Sequence, residues 1–138
     1  MAIAKRQVDL PVGLWAAMVR GMRFACPRCG EGKLFRKFLK PVAGCACCGQ
    51  DWTPQQADDF PAYVAIIVTG HLLAPLMIVL AGQTALSLGA LLAIVMSLAI
   101  AMMVGMLQPA KGAIIAVQWW FGMHGFVKER RGELPGSV

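Results

Sequence analysis

Polar and apolar residues are sharply segregated along this chain, and residues 60–110 contain no Asp, Glu, Lys or Arg. Within that block, residues 62–81 and 86–107 are each long enough as helices, about 30 Å or more, to cross the hydrocarbon core of a bilayer. The Gly82-Gln83-Thr84-Ala85 segment between them is short and uncharged, so the two spans are predicted to form a tight antiparallel hairpin. Upstream, Pro11 opens a segment, 12–24, in which Trp15, Met18, Val19 and Met22 recur at helical spacing. This segment contains Arg20 and Arg23 and is too short to span. It is therefore predicted to lie on the membrane surface or to pack on the module that follows it. Downstream, Pro109 is expected to end the second span. Residues 111–127 then start a third apolar segment, too short to cross, with Trp119, Trp120 and Phe121 as interfacial anchors and Lys128, Arg130 and Arg131 meeting anionic headgroups.

Small side chains form a row in the second span: Gly89, Ala93, Ser97, Ala101 and Gly105 follow one another at intervals of four. Such a row allows close approach of another helix. The first span offers Gly70, Ala74 and Gly82, so the faces are expected to pack together inside one chain, with docking of another protein's helix as the alternative. Met96, Met102, Met103 and Met106 read as lipid-facing filler. Pro75 is expected to bend the first span, because its ring meets the carbonyl of His71. His71, an ionisable group well inside a span, is expected to be neutral and hydrogen-bonded within the helix pair. Ligation of haem or copper with a partner's help is the alternative. Asp58 and Asp59 sit where they would cap the first span and complement its dipole.

Composition fits this picture, since 58% of residues are hydrophobic and 14% charged, against about a quarter charged in ordinary soluble domains. The net charge is +6, from thirteen basic against seven acidic residues, and the basic residues all lie at or before Lys40 or at or after Lys111. By the positive-inside rule both termini are expected in the cytoplasm, with the turn at Gly82 outside. No removable signal peptide is expected near Met1.

The candidate chemistry lies ahead of the first span. Cys26-Pro27-Arg28-Cys29-Gly30 and Cys45-Ala46-Cys47-Cys48-Gly49 are two C-x-x-C-G knuckles, with fifteen residues between Cys29 and Cys45. Four thiolates at this spacing suit a tetrahedral structural zinc, and a reducing cytoplasmic flank favours metal over disulfides. Iron in a rubredoxin-like site and a thiol redox pair are the alternatives. The expected ligands are Cys26, Cys29, Cys45 and Cys48, a choice that keeps a glycine after the second cysteine of each knuckle and leaves Cys47 as a spare thiol. A sulfur-only site has no open position from which to activate water, so zinc catalysis is not expected. Arg28, Lys33, Arg36 and Lys37 are near enough to offset the excess charge of four thiolates on a divalent ion. Lys33, Arg36, Lys37 and Lys40 are interleaved with Leu34, Phe35, Phe38 and Leu39, a pattern compatible with a short hairpin or a helical turn.

The chain resembles a bacterial family known as domain of unknown function 983. The resemblance rests on Cys26 to Phe35 read as C-P-x-C-G-E-G-x-L-F, on Cys45 to Gly49, on Asp59-Phe60-Pro61-Ala62, and on Pro109-Ala110-Lys111-Gly112 with Gln118-Trp119. The extra Cys47 departs from the family pattern. The resemblance implies a two-span protein of the bacterial inner membrane with a cytoplasmic four-cysteine site. It also implies a respiratory connection, as an accessory or assembly factor of a complex such as cytochrome c oxidase.

The expected fold is a mainly α membrane protein: an N-terminal tail and interfacial helix (1–24), a four-cysteine zinc-ribbon-like module (25–50) and a connector (51–61). A transmembrane hairpin (62–107), a C-terminal interfacial helix (108–131) and a disordered tail (132–138) complete it. The expected role is non-catalytic, with bound Zn2+, the lipid bilayer and a membrane protein such as a terminal oxidase subunit as partners. Neither a small-molecule substrate nor nucleic acid is expected. A membrane thiol oxidoreductase or a metal-handling protein using the C-x-x-C pairs is the alternative.

Overall fold

The computed structural model describes residues 8–83 and 85–127. The tail expected at 132–138, the three basic residues expected to end the last helix, and most of the first ten residues lie outside them. The chain is mainly helical, with α1 at Leu14–Met22, α2 at Phe60–Gln83 and α3 at Leu88–Phe121. Between α1 and α2 lies a small antiparallel hairpin, β1 (Phe35–Lys37) and β2 (Lys40–Pro41), which resolves the choice between a hairpin and a helical turn. Leu39 turns it in the left-handed region, with φ 59°.

The first long helix starts two residues before its expected position and ends two after it. The amides of Ala62 and Tyr63 close on the Asp59 carbonyl at 3.0 and 3.4 Å, which makes Asp59 the last residue before regular helix. At the other end of the hairpin the Ser87 hydroxyl accepts from the Ala90 amide at 3.3 Å and caps α3. Both α2 and α3 run through an internal proline, Pro75 and Pro109.

The break expected at Pro109 is absent, so the second span and the supposed interfacial helix are one rod of 34 residues, about 51 Å long. Two local facts explain this. The carbonyl that the proline ring crowds belongs to Gly105, an exposed residue without a Cβ whose backbone can give way. The turns beyond Pro109 are then held from outside by α1. The rod stops at Gly122, which adopts the left-handed conformation at φ 65° and whose amide returns to the Gln118 and Trp119 carbonyls.

Packing of α1 on α3 decides where the cysteine module sits. Gly21 and Gly112 meet backbone to backbone, so closely that a Cβ on either would overlap the other's carbonyl oxygen. Ala17, Gly21, Ile115 and Ala116 are buried around this contact. The first helix thus packs mainly on α3 and reaches the module through Arg20, while its outer edge leaves Val12 and Trp15 largely exposed. Below the contact lies the core. Trp119 is fully buried with Trp52 edge-on to it at 6.2 Å, and Phe126 closes on Trp52 at 5.7 Å.

The row of small residues does not do what its spacing suggests. Gly89, Ala93, Ser97, Ala101 and Gly105 are all exposed, as are Gly70, Ala74 and Gly82, and nothing lies within 4 Å of where a Cβ on any of these glycines would be. The contact between the long helices is instead made by Pro61, Ala65, Thr69 and Leu73 of α2, with Val95 and Ala110 the buried positions on the facing part of α3. The small positions that admit the neighbouring helix thus belong mainly to α2, and the α3 row looks outward. His71 is also outside the helix pair: its Nδ1–H donates to the Ile67 carbonyl of its own helix at 2.7 Å, and the ring is exposed.

Candidate metal centre

Each cysteine knuckle is a tight backbone loop closed by amide hydrogen bonds. The Gly30 amide donates to the Cys26 carbonyl at 2.7 Å, and the Gly49 amide donates to the Cys45 carbonyl at 3.0 Å. Both glycines adopt positive φ, 75° and 74°, the left-handed conformation that a side chain resists. Chain reversal behind each loop is fixed in the same way, by Cys26 N–H to the Gly32 carbonyl at 2.7 Å and Cys45 N–H to the Gln50 carbonyl at 2.9 Å. The two loops are therefore near copies of one another.

They bring the expected four sulfurs together. The Sγ atoms of Cys26, Cys29, Cys45 and Cys48 all lie within 4.8 Å of one another. Across the knuckles, Cys26 meets Cys48 at 3.8 Å and Cys29 meets Cys45 at 3.7 Å. A zinc tetrahedron with Zn–S bonds of about 2.3 Å has edges of about 3.8 Å, so these spacings fit a metal held between the pairs. A disulfide would need the sulfurs at about 2.05 Å. Cys47 is exposed and stands outside the group.

Electrostatics also call for a cation. Burial pushes the Cys26 thiol well above the ordinary range; the Cys29 backbone opposes this, while the charges of Cys48, Cys29 and Cys45 add to it. Burial raises Cys48 too, against hydrogen bonds from the Gln50 backbone and the Arg28 side chain. Cys45 differs. Burial raises it, but the Cys48 and Cys47 amides and the neighbouring thiols outweigh that and bring it down to about 7. Burial thus opposes ionisation of Cys26 and Cys48, and a divalent ion placed among the sulfurs would supply the positive charge that favours their thiolates.

Several residues that the spacing did not single out position the site. Gly32 has no side chain because Cys45 Sγ lies where its Cβ would be. Its amide faces Cys29 Sγ at 3.5 Å. Arg20, from α1, runs under the first knuckle, with its guanidinium donating to the Arg28 carbonyl at 3.2 Å and to the Asp9 carbonyl at 2.7 Å. Arg28 in turn reaches the second knuckle and donates to the Cys48 carbonyl at 3.3 Å. Of the basic residues expected to offset the thiolates, Arg28 makes this link, while Lys33, Arg36 and Lys37 are exposed.

The connector is tied to α3 by a side chain acting as a strand. Buried Gln118 accepts from the Gln56 amide at 3.0 Å through Oε1 and donates to the Gln56 carbonyl at 2.9 Å through Nε2. Sequence spacing held one clue to this, since Gln118 interrupts an otherwise apolar run before Trp119 and Trp120.

Fold and site together define a class: a mainly helical chain with two long apolar helices and a cluster of four cysteines able to hold a metal ion. The family model described as "Protein of unknown function (DUF983)" matches residues 35–119, more than half of the chain, and the chain belongs to that family. The match takes in the second knuckle and both long helices; the first knuckle precedes it. Neither a curated protein nor a solved structure matches the chain.

Proposed function

We propose that this is a non-catalytic integral membrane protein whose cysteine module, closed on one structural zinc ion, is a rigid docking platform held against the membrane-spanning hairpin. The observation that carries this reading is the four-sulfur group, with edges suited to zinc, on a module whose flanking helix and connector are fastened to α3 at Gly21 and Gln56. Membrane insertion is supported by the surfaces of the long helices. Only 17% of the most apolar stretch of α2 and 6% of that of α3 is buried within the chain, whereas the core helix of a soluble protein is mostly buried. The basic residues on both flanks favour a cytoplasmic module with the Gly82 turn outside, at the bacterial inner membrane implied by the family resemblance.

A platform of this kind serves an accessory or assembly protein of a membrane complex. The terminal oxidase is the candidate that the resemblance implies, and the fold itself points to no particular complex. The test is affinity purification of the tagged protein from native membranes in mild detergent. Recovery of respiratory subunits, with loss of oxidase content on deletion, is the expected outcome. A protein that never retains such a subunit and whose deletion leaves the oxidase unchanged defeats the assignment. Thiol titration separates the platform from the oxidoreductase alternative. Four thiols should stay masked until a chelator strips the ion, whereas a redox pair would react or cycle with metal still bound.

A further inference from the structure

Among the described residues the β1–β2 hairpin carries the densest basic run, and its place in the fold gives that surface a partner. Lys111 is the first charged residue after the apolar run of α3, so it marks the level at which the rod leaves the hydrocarbon on the reading above. The next residue, Gly112, touches Gly21. From there the connection to the hairpin is short. The Phe24 amide donates to the Gly21 carbonyl at 3.0 Å, the Phe24 ring stands edge-on to Phe35 at 6.0 Å, and the Leu34 amide donates to the Phe24 carbonyl at 2.9 Å. Phe35 opens β1, so the hairpin is rooted beside the headgroup level, and its tip is only about 10 Å of extended chain away.

That tip is chemically distinctive. Phe38 is 53% exposed although the core lies close by, and Arg36, Lys37 and Lys40 are exposed around it. Among the described residues no salt bridge reaches any of the three cations. An aromatic ring that can enter the interface, ringed by cations that can meet phosphates, is the combination that favours an anionic lipid surface.

We infer that the β1–β2 hairpin is a second membrane contact, with Phe38 entering the headgroup region while Arg36, Lys37 and Lys40 bind the phosphates of anionic phospholipid. This inference rests on the membrane-spanning reading. It adds that the cysteine module is pinned to the bilayer surface at two points, by the rod and by the hairpin, and that lipid charge controls the second.

The test uses the full zinc-loaded protein in nanodiscs of phosphatidylcholine with or without phosphatidylglycerol. In separate samples, para-fluorophenylalanine replaces Phe38 or Ile78, a residue of α2 that is 74% exposed. Fluorine NMR then reads broadening by a lipid spin-labelled in its acyl chain. The expected result is broadening at position 78 in both lipids and at position 38 only with phosphatidylglycerol. Each cation near an anionic surface favours contact about fivefold, so the combined Arg36→Gln, Lys37→Gln and Lys40→Gln protein should lose roughly 100-fold in that preference, and the signal at position 38 should stay sharp. Broadening at 78 without broadening at 38 overturns the inference and leaves the spanning helices intact. A sharp signal at both positions overturns the spanning reading and the inference with it. A resonance at 38 that ignores lipid but shifts on addition of single-stranded RNA overturns the inference in favour of a nucleic-acid surface.

Discussion

Replacement of Gly32 by alanine isolates the metal site from the rest of the fold. A Cβ at this position would overlap Cys45 Sγ, while ordinary contact begins at 3.4 Å, so the sulfur or the loop must move by roughly an ångström. Structural zinc sites hold metal–ligand distances to about 0.2 Å, so one of the four bonds is lost or badly stretched. Binding of zinc to such sites is worth about 10–16 kcal/mol in all, and one ligand's share is roughly 3 kcal/mol, about two decades in affinity. Competition against a chromophoric chelator measures this directly, with zinc content by elemental analysis as a second readout. Gly44→Ala is the matched control, because its Cβ would stand at an ordinary 3.7 Å from the Gln50 carbonyl oxygen. The expected outcome is a loss of about 100-fold for Gly32→Ala and little change for Gly44→Ala. A Gly32→Ala protein that holds zinc as tightly as wild type would refute the placement of Cys45 Sγ as a ligand.

Three further outcomes follow from other parts of the structure. Gly21→Ala or Gly112→Ala should destabilise the detergent-solubilised protein by about 1–3 kcal/mol in thermal unfolding, because backbone faces backbone there, whereas Gly70→Ala and Gly89→Ala, with open space around them, should be neutral or mildly stabilising. Gln118→Leu leaves the Gln56 amide and carbonyl without their partners and should cost about 1–3 kcal/mol; faster hydrogen exchange at the Gln56 amide would localise the effect. Zinc added to metal-free protein at pH 8 should displace protons from Cys26 and Cys48, whose thiols lie above their ordinary range, and calorimetry in buffers of different ionisation enthalpy should record the release. The sign follows from the bound state, in which the metal holds thiol pKa values below those of the free chain. Metal-derived stability is therefore present at neutral pH and above and is lost as pH falls, and a zinc affinity independent of pH would contradict the thiolate ligand set.

The parts of this account that sequence alone revealed are those with a short-range cause. Two C-x-x-C-G loops give themselves away because each must turn tightly to aim two sulfurs at one point, and the glycine that follows each pair does so at positive φ in the structure. The long apolar helices are similarly plain, since a run without charges has few other uses. Pro109 misled because a local rule was opposed by tertiary contact: the residue it crowds is a glycine, and α1 clamps the turns beyond it. The α3 small-residue row misled for a related reason. Spacing identifies a face on which a helix could pack, but which face is used depends on the partner, and α2 brings its own small residues, Ala65 and Thr69, to the contact. The roles of Gly32 and Gly112 needed three-dimensional neighbours, because each acts through a residue at least thirteen positions away in sequence, while Gln118 showed only as a polar residue in an apolar run.

Joining of the module to the rod has a physical consequence. Because α3 is one continuous helix from Leu88 to Phe121, with Trp119 at its far end in the core that also holds Cys26 and Cys45 and Gln118 bonded to the connector, a rotation or tilt of the rod is passed to the module through packed contacts.

X-ray absorption at the zinc edge of the purified protein tests the central claim most directly. The account predicts one zinc per chain and a single shell of four sulfurs at about 2.3 Å. A shell containing nitrogen or oxygen, or a protein that carries no stoichiometric metal, would contradict it.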